Sequence, residues 1–369
     1  MGGRGSGAVG FGDLRLGRRQ FLAGGALASA GLLLAGCRRE EAQQASQGGS
    51  GGSGGSGGNF PDTPEYNFVF VNHVTTNPFF VPTQYGIEDA EALLGTKSQW
   101  TGSEASVVRE MVGAMDSAIS GDADGIAVAV VDPEAFNDPI QRALDKDIPV
   151  IAYNADGAVG KDNPALAYVG QDLFQSGVEM GNRIVEIVDE GLVALFIATP
   201  GQLNIQPRID GAKKAIEDSG ANIEVQQVTT GAEVPEERSR IEAWYNGHQD
   251  VAGMFAVDAG STQGVAQVME QAGLAEKGVK AGGYDLLPEI LKLMKAGHID
   301  FTIDQQPYLQ GFLPVMQLYL YKISGGITGP AETNTGLIFV TPETVDRYLQ
   351  TESRFEGDSE QQKIVKAPA

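Results

Sequence analysis

From Asn67 onward, short runs of apolar, β-branched residues alternate with longer stretches in which apolar residues recur every three or four positions. The short runs are FVFVNH (68–73), GIAVAVV (125–131), IPVIAYN (148–154), LAYVG (166–170), VALFIAT (193–199), IEVQQVT (223–229), VAGMFAV (251–257), VKAGGYD (279–285), DFTID (300–304) and GLIFV (336–340). Near-continuous apolarity predicts strands buried on both faces, and the periodic stretches between them predict covering helices. In ASVVREMVGAMDSAIS (105–120), for instance, Val108, Met111, Met115 and Ile119 share one helix face. Strands alternating with helices make a parallel sheet. There are more strands here than one compact sheet of this kind holds, so the pattern predicts an α/β chain of two doubly wound parallel-sheet lobes.

The residues before this body follow another pattern. Arg18 and Arg19 precede sixteen uncharged residues, Phe21 to Gly36, and then Cys37, the single cysteine of the 369 residues. A helix spanning a bilayer takes about 20 predominantly apolar residues, and this run is shorter and rich in Gly, Ala and Ser. A basic start, an apolar middle and small residues before a cut site are the parts of an export signal. GRRQFL resembles the twin-arginine export motif, with Gly17 where Ser or Thr is usual, and Leu34-Ala35-Gly36-Cys37 resembles a bacterial lipobox. That resemblance implies a signal over 1–36, cleavage before Cys37 and lipidation of Cys37. The Gly/Ser-rich residues that follow, through 58, read as a flexible linker between the lipidated cysteine and the body.

In doubly wound sheets, ligands bind beyond the carboxyl ends of the strands. The residues there are mostly polar: Asn77 after the first strand, then Asp132, Asn154, Asp156, Asn204, Asp258, Asp285 and Gln305. Asn77-Pro78 and Asp132-Pro133 also read as helix N-caps followed by proline at the first helical position. The three histidines, His73, His248 and His298, are far apart, and no HExxH, CxxC, P-loop or GxSxG motif occurs. The chain is therefore read as a binding protein and not an enzyme, with no cofactor and no metal. With 26 basic and 48 acidic residues, the formal net charge is −22. Such a surface repels nucleic acid and anionic lipid, leaving the anchor as the membrane contact.

The segment TTNPFFVPTQYGIEDAEALLG (75–95) resembles the first binding loop of periplasmic sugar-binding proteins of the ribose and galactose type, the type I solute receptors of ABC importers. ADGIAVAVVDP, DIPVIAYNAD, YVGQDLFQSGVEMG, QPRIDGAKKAI, GMFAVDAG, AGGYDLLP and TIDQQPYLQG extend that resemblance in order over nearly the whole body. It implies a three-strand hinge, a monomer, a monosaccharide or polyol held between the lobes, and delivery to a membrane permease. Its first lobe would run over 60–170 plus about 306–333 and its second over 171–305 plus about 334–350, with a tail at 351–369. Phe79 and Phe80 would cover the C–H faces of the ring and Asn77 would bond a hydroxyl. Arg208 would offer its forked donors, Asp258 and Asp285 acceptors from the second lobe, Gln305 a polar group at a lobe crossing, and Asp132 and Asn154 groups from the first lobe. The pattern departs from the ribose type at Asn154-Ala155, where Asp-Arg is common, and from the galactose type at Asn77, where Asp is usual. Trp244 reads equally as helix packing or as aromatic cover. Receptors of the same fold for amino acids, nucleosides or furanones, a ligand sensor for a chemoreceptor, and a glycosidase stand as the alternatives.

Overall fold

The computed structural model describes residues 62–156, 163–349 and 354–355. Cys37, the segment before it and the linker lie outside the described residues. Two six-stranded sheets account for the strands. The first comprises β1 (Asn67–Asn72), β2 (Lys97–Gly102), β3 (Gly125–Val128), β4 (Val150–Tyr153), β5 (Ala167–Gly170) and, from far along the chain, β11 (Glu332–Asn334). The second comprises β6 (Glu190–Ile197), β7 (Asn222–Thr229), β8 (Gly253–Ala256), β9 (Lys280–Tyr284), β10 (Phe301–Asp304) and β12 (Ile338–Val340). The spatial orders are β11-β5-β4-β3-β1-β2 and β12-β10-β9-β8-β6-β7. All pairings are parallel except that of β10 with β12.

The helices are α1 (Val81–Leu94), α2 (Val108–Ser120), α3 (Asn137–Leu144), α4 (Leu173–Ile187), α5 (Gln206–Ser219), α6 (Val234–Asn246), α7 (Ala259–Gln271), α8 (Pro288–Lys295), α9 (Pro307–Ser324) and α10 (Asp346–Leu349). The apolar runs become the sheet centres, where Phe70, Val128, Val150, Phe196, Phe255 and Phe301 have no exposed surface. In α2, Met111, Met115 and Ile119 face the core as their spacing predicts, while Val108 is only partly buried. Two strands have no apolar run in the sequence. β2, KSQWTG, is an edge strand with no fully buried residue, and β11 is a three-residue edge strand. Both are solvent-facing with too little burial to impose an apolar pattern, whereas the edge strand β7 keeps an alternation of exposed and half-buried positions that shows in the sequence.

The chain passes from the first sheet to the second between Gly170 and Leu173, returns between Asp304 and Pro307, and crosses again between Asn334 and Ile338. A small polar network ties these connections together. Gln310 Nε2 lies 3.1 Å from Gln305 Oε1 and 3.2 Å from Thr335 Oγ1, and Thr335 Oγ1 donates to the Gln305 carbonyl at 2.7 Å. Gln306 takes a left-handed conformation with φ 54° at the second crossing, and its side-chain amide donates to the Thr335 carbonyl. A non-glycine residue in that region is a local bend that the surroundings must hold. The arrangement brings the carboxyl ends of both sheets to face one another across a cleft.

Candidate functional site: a cleft between the lobes

The cleft begins at the end of β1. Asn77 accepts the Phe79 N–H at 3.0 Å and caps the 3-10 turn Pro78–Phe80, with Pro78 supplying the fixed φ of its first residue. This turn places Phe79 at the cavity with its ring edge-to-face on Phe80, centroids 4.6 Å apart. Phe80 sits deeper, 1% exposed, packed edge-on against His73 and tilted on Trp100. Asn154, at φ 62° just after β4, reaches Gln310 Oε1 with its amide at 3.0 Å and also lines the cavity.

The opposite wall comes from the second lobe. Arg208 on α5 is 3% exposed; Nη1 donates to the Val257 carbonyl and Nη2 to Gln171 Oε1, each at 2.9 Å. Its guanidinium lies 4.1 Å from the centre of the Tyr284 ring. Asp285, at φ 78° after β9, accepts from Gln305 Nε2 at 2.7 Å. Burial pushes the Asp285 carboxyl up to about 7, against the opposing pull of Arg208 and of the Gln305 bond. Asp258 caps α7, accepting the Ser261 N–H at 2.9 Å.

The lobes also touch directly around this space. Ser106 Oγ donates to Gln202 Oε1 at 2.6 Å, Gln202 Nε2 donates to the Ser106 carbonyl at 3.1 Å, and Leu203 N–H donates to the Val131 carbonyl at 2.9 Å. Asn204 Nδ2 approaches His73 Nε2 at 3.1 Å. Burial pulls the His73 imidazole down to about 3, so the ring is neutral; with Nε2 accepting, its proton sits on Nδ1. The result is a closed-lobe form that leaves a cavity of about 60 Å³ between the lobes.

Three buried polar atoms on this lining have no partner: His73 Nδ1, Asn204 Oδ1 and Arg208 Nε. Leaving a buried donor or acceptor unpaired costs about 1–3 kcal/mol. All three residues belong to the cavity lining, beside Asn77, Asn154, Asp258 and Asp285, so the wall offers polar groups of the kind that hydroxyls pair with.

Comparison with known proteins decides the family. Residues 68–325 match the periplasmic binding protein domain. The chain belongs to that family. It is 51% identical over 313 residues to a xylose/arabinose-binding protein of Sulfolobus acidocaldarius, an alignment covering 81% of this chain and 76% of that protein. Among solved structures, a solute-binding protein from Burkholderia graminis in complex with D-arabinose is similar at 26% identity and TM-score 0.70, covering 77% of this chain and 98% of that one. A carbohydrate transporter protein from Acidothermus cellulolyticus in complex with myo-inositol is similar at 25% identity and TM-score 0.69, covering 77% and 97%. The chain is thus a periplasmic binding protein homologous to sugar-binding proteins of ABC importers and not an enzyme, with two type I lobes, and its family places it outside the cytoplasm.

Of the positions expected from the sequence, Asn77, Phe79, Phe80 and Asn154 line the cavity from one side. Asn204, Arg208, Asp258, Asp285 and Gln305 line it from the other. Two expected positions do not reach it. Asp132 accepts the N–H groups of Glu134 and Ala135 at 2.9 and 2.8 Å, capping a turn that precedes α3 rather than the helix itself. Because β3 ends at Val128, Asp132 has already left the strand end by four residues. Asp156 accepts from Asn163 Nδ2 and borders a separate hollow beside Tyr168 and Gly170. Trp244 stacks on His248 at 4.2 Å and edge-on against Phe196, so it packs its own helix. Glu237 and Ser106 line the cavity without having been singled out by the sequence pattern.

Proposed function

We propose that this protein captures a pentose between its lobes and passes it to an ABC permease. The observation that carries this reading is the interlobe cavity that Phe79 lines together with the polar side chains of Asn77 and Asn154 from one lobe and Arg208, Asp258 and Asp285 from the other. A pyranose presents hydroxyls around its rim and C–H surface on its faces. In this reading Phe79 covers one face, while Asn77, Asn154, Arg208, Asp258, Asp285 and Gln305 hold the rim. The name of the Sulfolobus acidocaldarius relative supports xylose and arabinose as the sugars to try first. The chain works as a monomer tethered through lipid on Cys37, its lobes being 60–170 with about 306–333 and 171–305 with about 334–350. Permease delivery follows from closure, because the closed form buries the sugar and presents both lobes to the membrane partner.

The test is calorimetric titration and thermal melting of the full chain with D-xylose, L-arabinose, D-ribose, D-glucose and myo-inositol, and with amino acids and nucleosides beside them. A sugar present at 100 times its Kd adds about 2.7 kcal/mol of stability, and a pentose is expected to give the largest shift. Stabilisation by amino acids or nucleosides alone would sink the reading.

A further inference from the structure

Glu237 on α6 and Asp258 at the start of α7 both line the second-lobe side of the cavity, and among the described residues neither forms a salt bridge. Glu237 is 1% exposed. It is packed so tightly against α7 that a Cβ at Gly260 would come within 2.2 Å of Glu237 Oε1. The donors around the two carboxyls are unequally shared. Asp258 takes the Ser261 N–H at 2.9 Å on Oδ1 and the Ala198 N–H at 3.0 Å on Oδ2. Glu237 takes one hydroxyl, Ser261 Oγ, at 2.6 Å on Oε2. Two backbone donors and the positive end of α7 meet Asp258, whereas Glu237 is buried beside that carboxylate with a single hydroxyl partner and keeps its proton.

The surrounding charges do not alter this division. Arg208 is committed to Val257, Gln171 and the Tyr284 ring. Asp285 pairs with Gln305, Glu236 turns to Arg240, and His73 is neutral. Burial first, and then the adjacent Asp258 carboxylate, push the Glu237 carboxyl up to about 10.

We propose that Glu237 and Asp258 hold one proton between them and form a donor–acceptor pair on the second-lobe wall that selects the orientation of two adjacent ligand hydroxyls. The proposal deepens the pentose reading and rests on it. The neutral carboxyl offers an O–H to one hydroxyl oxygen, and the carboxylate accepts from the neighbouring hydroxyl. A sugar with one of those hydroxyls inverted leaves a buried group unpaired, which is how a polar site rejects a close analogue. No aromatic side chain lines this wall among the described residues, so recognition here falls to polar groups.

Full-length wild type, Glu237→Gln and Glu237→Ala are titrated with D-xylose, L-arabinose and D-ribose across pH 6 to about 10.5. Gln keeps a neutral donor in the same shape. It is expected to bind the preferred sugar at least about tenfold more tightly than the Ala variant, and the Ala variant is expected to discriminate poorly among the three sugars. Wild-type affinity is expected to fall above about pH 8.5 as the shared proton is lost, whereas the Gln variant stays level there. Asp285, at about 7, and Tyr284, pushed up to about 12, titrate outside that window. Gln binding as weakly as Ala, or identical alkaline profiles for wild type and Gln, would overturn the pair. Should wild type bind none of the pentoses but another solute, the pentose reading falls. The Gln–Ala contrast and the alkaline profile measured with that solute then decide the pair separately.

Discussion

Asp285 shows how one residue answers to the backbone, the fold and the ligand together. Its left-handed φ of 78° aims the carboxyl into the cavity, and Asp tolerates that conformation better than most residues do. Burial raises its carboxyl to about 7, so the folded protein holds the proton more tightly than the unfolded chain, where the ordinary value is about 4. The sign follows from linkage: this contribution to stability is complete below about pH 4 and is withdrawn as pH rises through about 7. Asn at 285 keeps the oxygen that accepts from Gln305 and does not titrate. The melting temperature of sugar-free wild type, measured from pH 4 to 8, is therefore expected to decline relative to Asp285→Asn. Parallel curves would show that the carboxyl titrates normally. The sequence exposes Asp285 because it directly follows an apolar strand. It hides Glu237, which stands in the charged run EVPEERSR and reads as the solvated first turn of a helix. It overstates Asp132 and Asp156, since proximity to a strand end does not fix the distance that the chain travels before the side chain is placed.

At the scale of elements, the α4–α5 seam sets the position of Arg208. The helices meet through glycines: a Cβ at Gly177 would lie 2.2 Å from the Arg208 carbonyl oxygen, and one at Gly211 would lie 2.2 Å from that of Phe174. Backbone oxygens cannot turn aside as side chains can, so a methyl group at Gly177 must push α5 bodily. Overpacking of this kind costs about 1–3 kcal/mol. Gly177→Ala is expected to lower the melting temperature and weaken sugar binding together, because the displaced residue carries the guanidinium. Gly181→Ala loads the same seam one turn away, against the Ala212 carbonyl at 2.5 Å. It should cost stability with a smaller loss of affinity, and equal losses of affinity in the two would mean that the seam does not position Arg208. The central strands of both sheets are legible in sequence because each is sealed on two faces and must be apolar throughout. β2 and β11 are not, because neither has a fully buried residue, so main-chain pairing specifies them and no apolar run marks them. The glycine seam is equally silent in an apolarity pattern, since its meaning lies in the distance between two helices.

For the whole molecule, function depends on the balance between open and closed lobes, and direct interlobe bonds enter that balance beside any sugar. Gln202 makes two of them, accepting from Ser106 Oγ and donating to the Ser106 carbonyl. It does not line the cavity. Each such bond contributes about 0.5–1.5 kcal/mol, so Gln202→Ala should move the equilibrium toward the open form by about 1–3 kcal/mol, or roughly 5- to 150-fold. Because binding is competent only when the lobes close on the sugar, apparent affinity falls as the closed fraction falls. The loss applies equally to every sugar, since no recognition contact has changed. Gln202→Ala is thus expected to weaken D-xylose, L-arabinose and D-ribose by a common factor and preserve their order. Sugar-free Gln202→Ala should also show a larger radius of gyration by X-ray scattering, returning to the wild-type value at saturating sugar. A change in the order of the sugars would place Gln202 among the recognition groups. Unchanged affinity with unchanged dimensions would show that ligand contacts alone hold the lobes together.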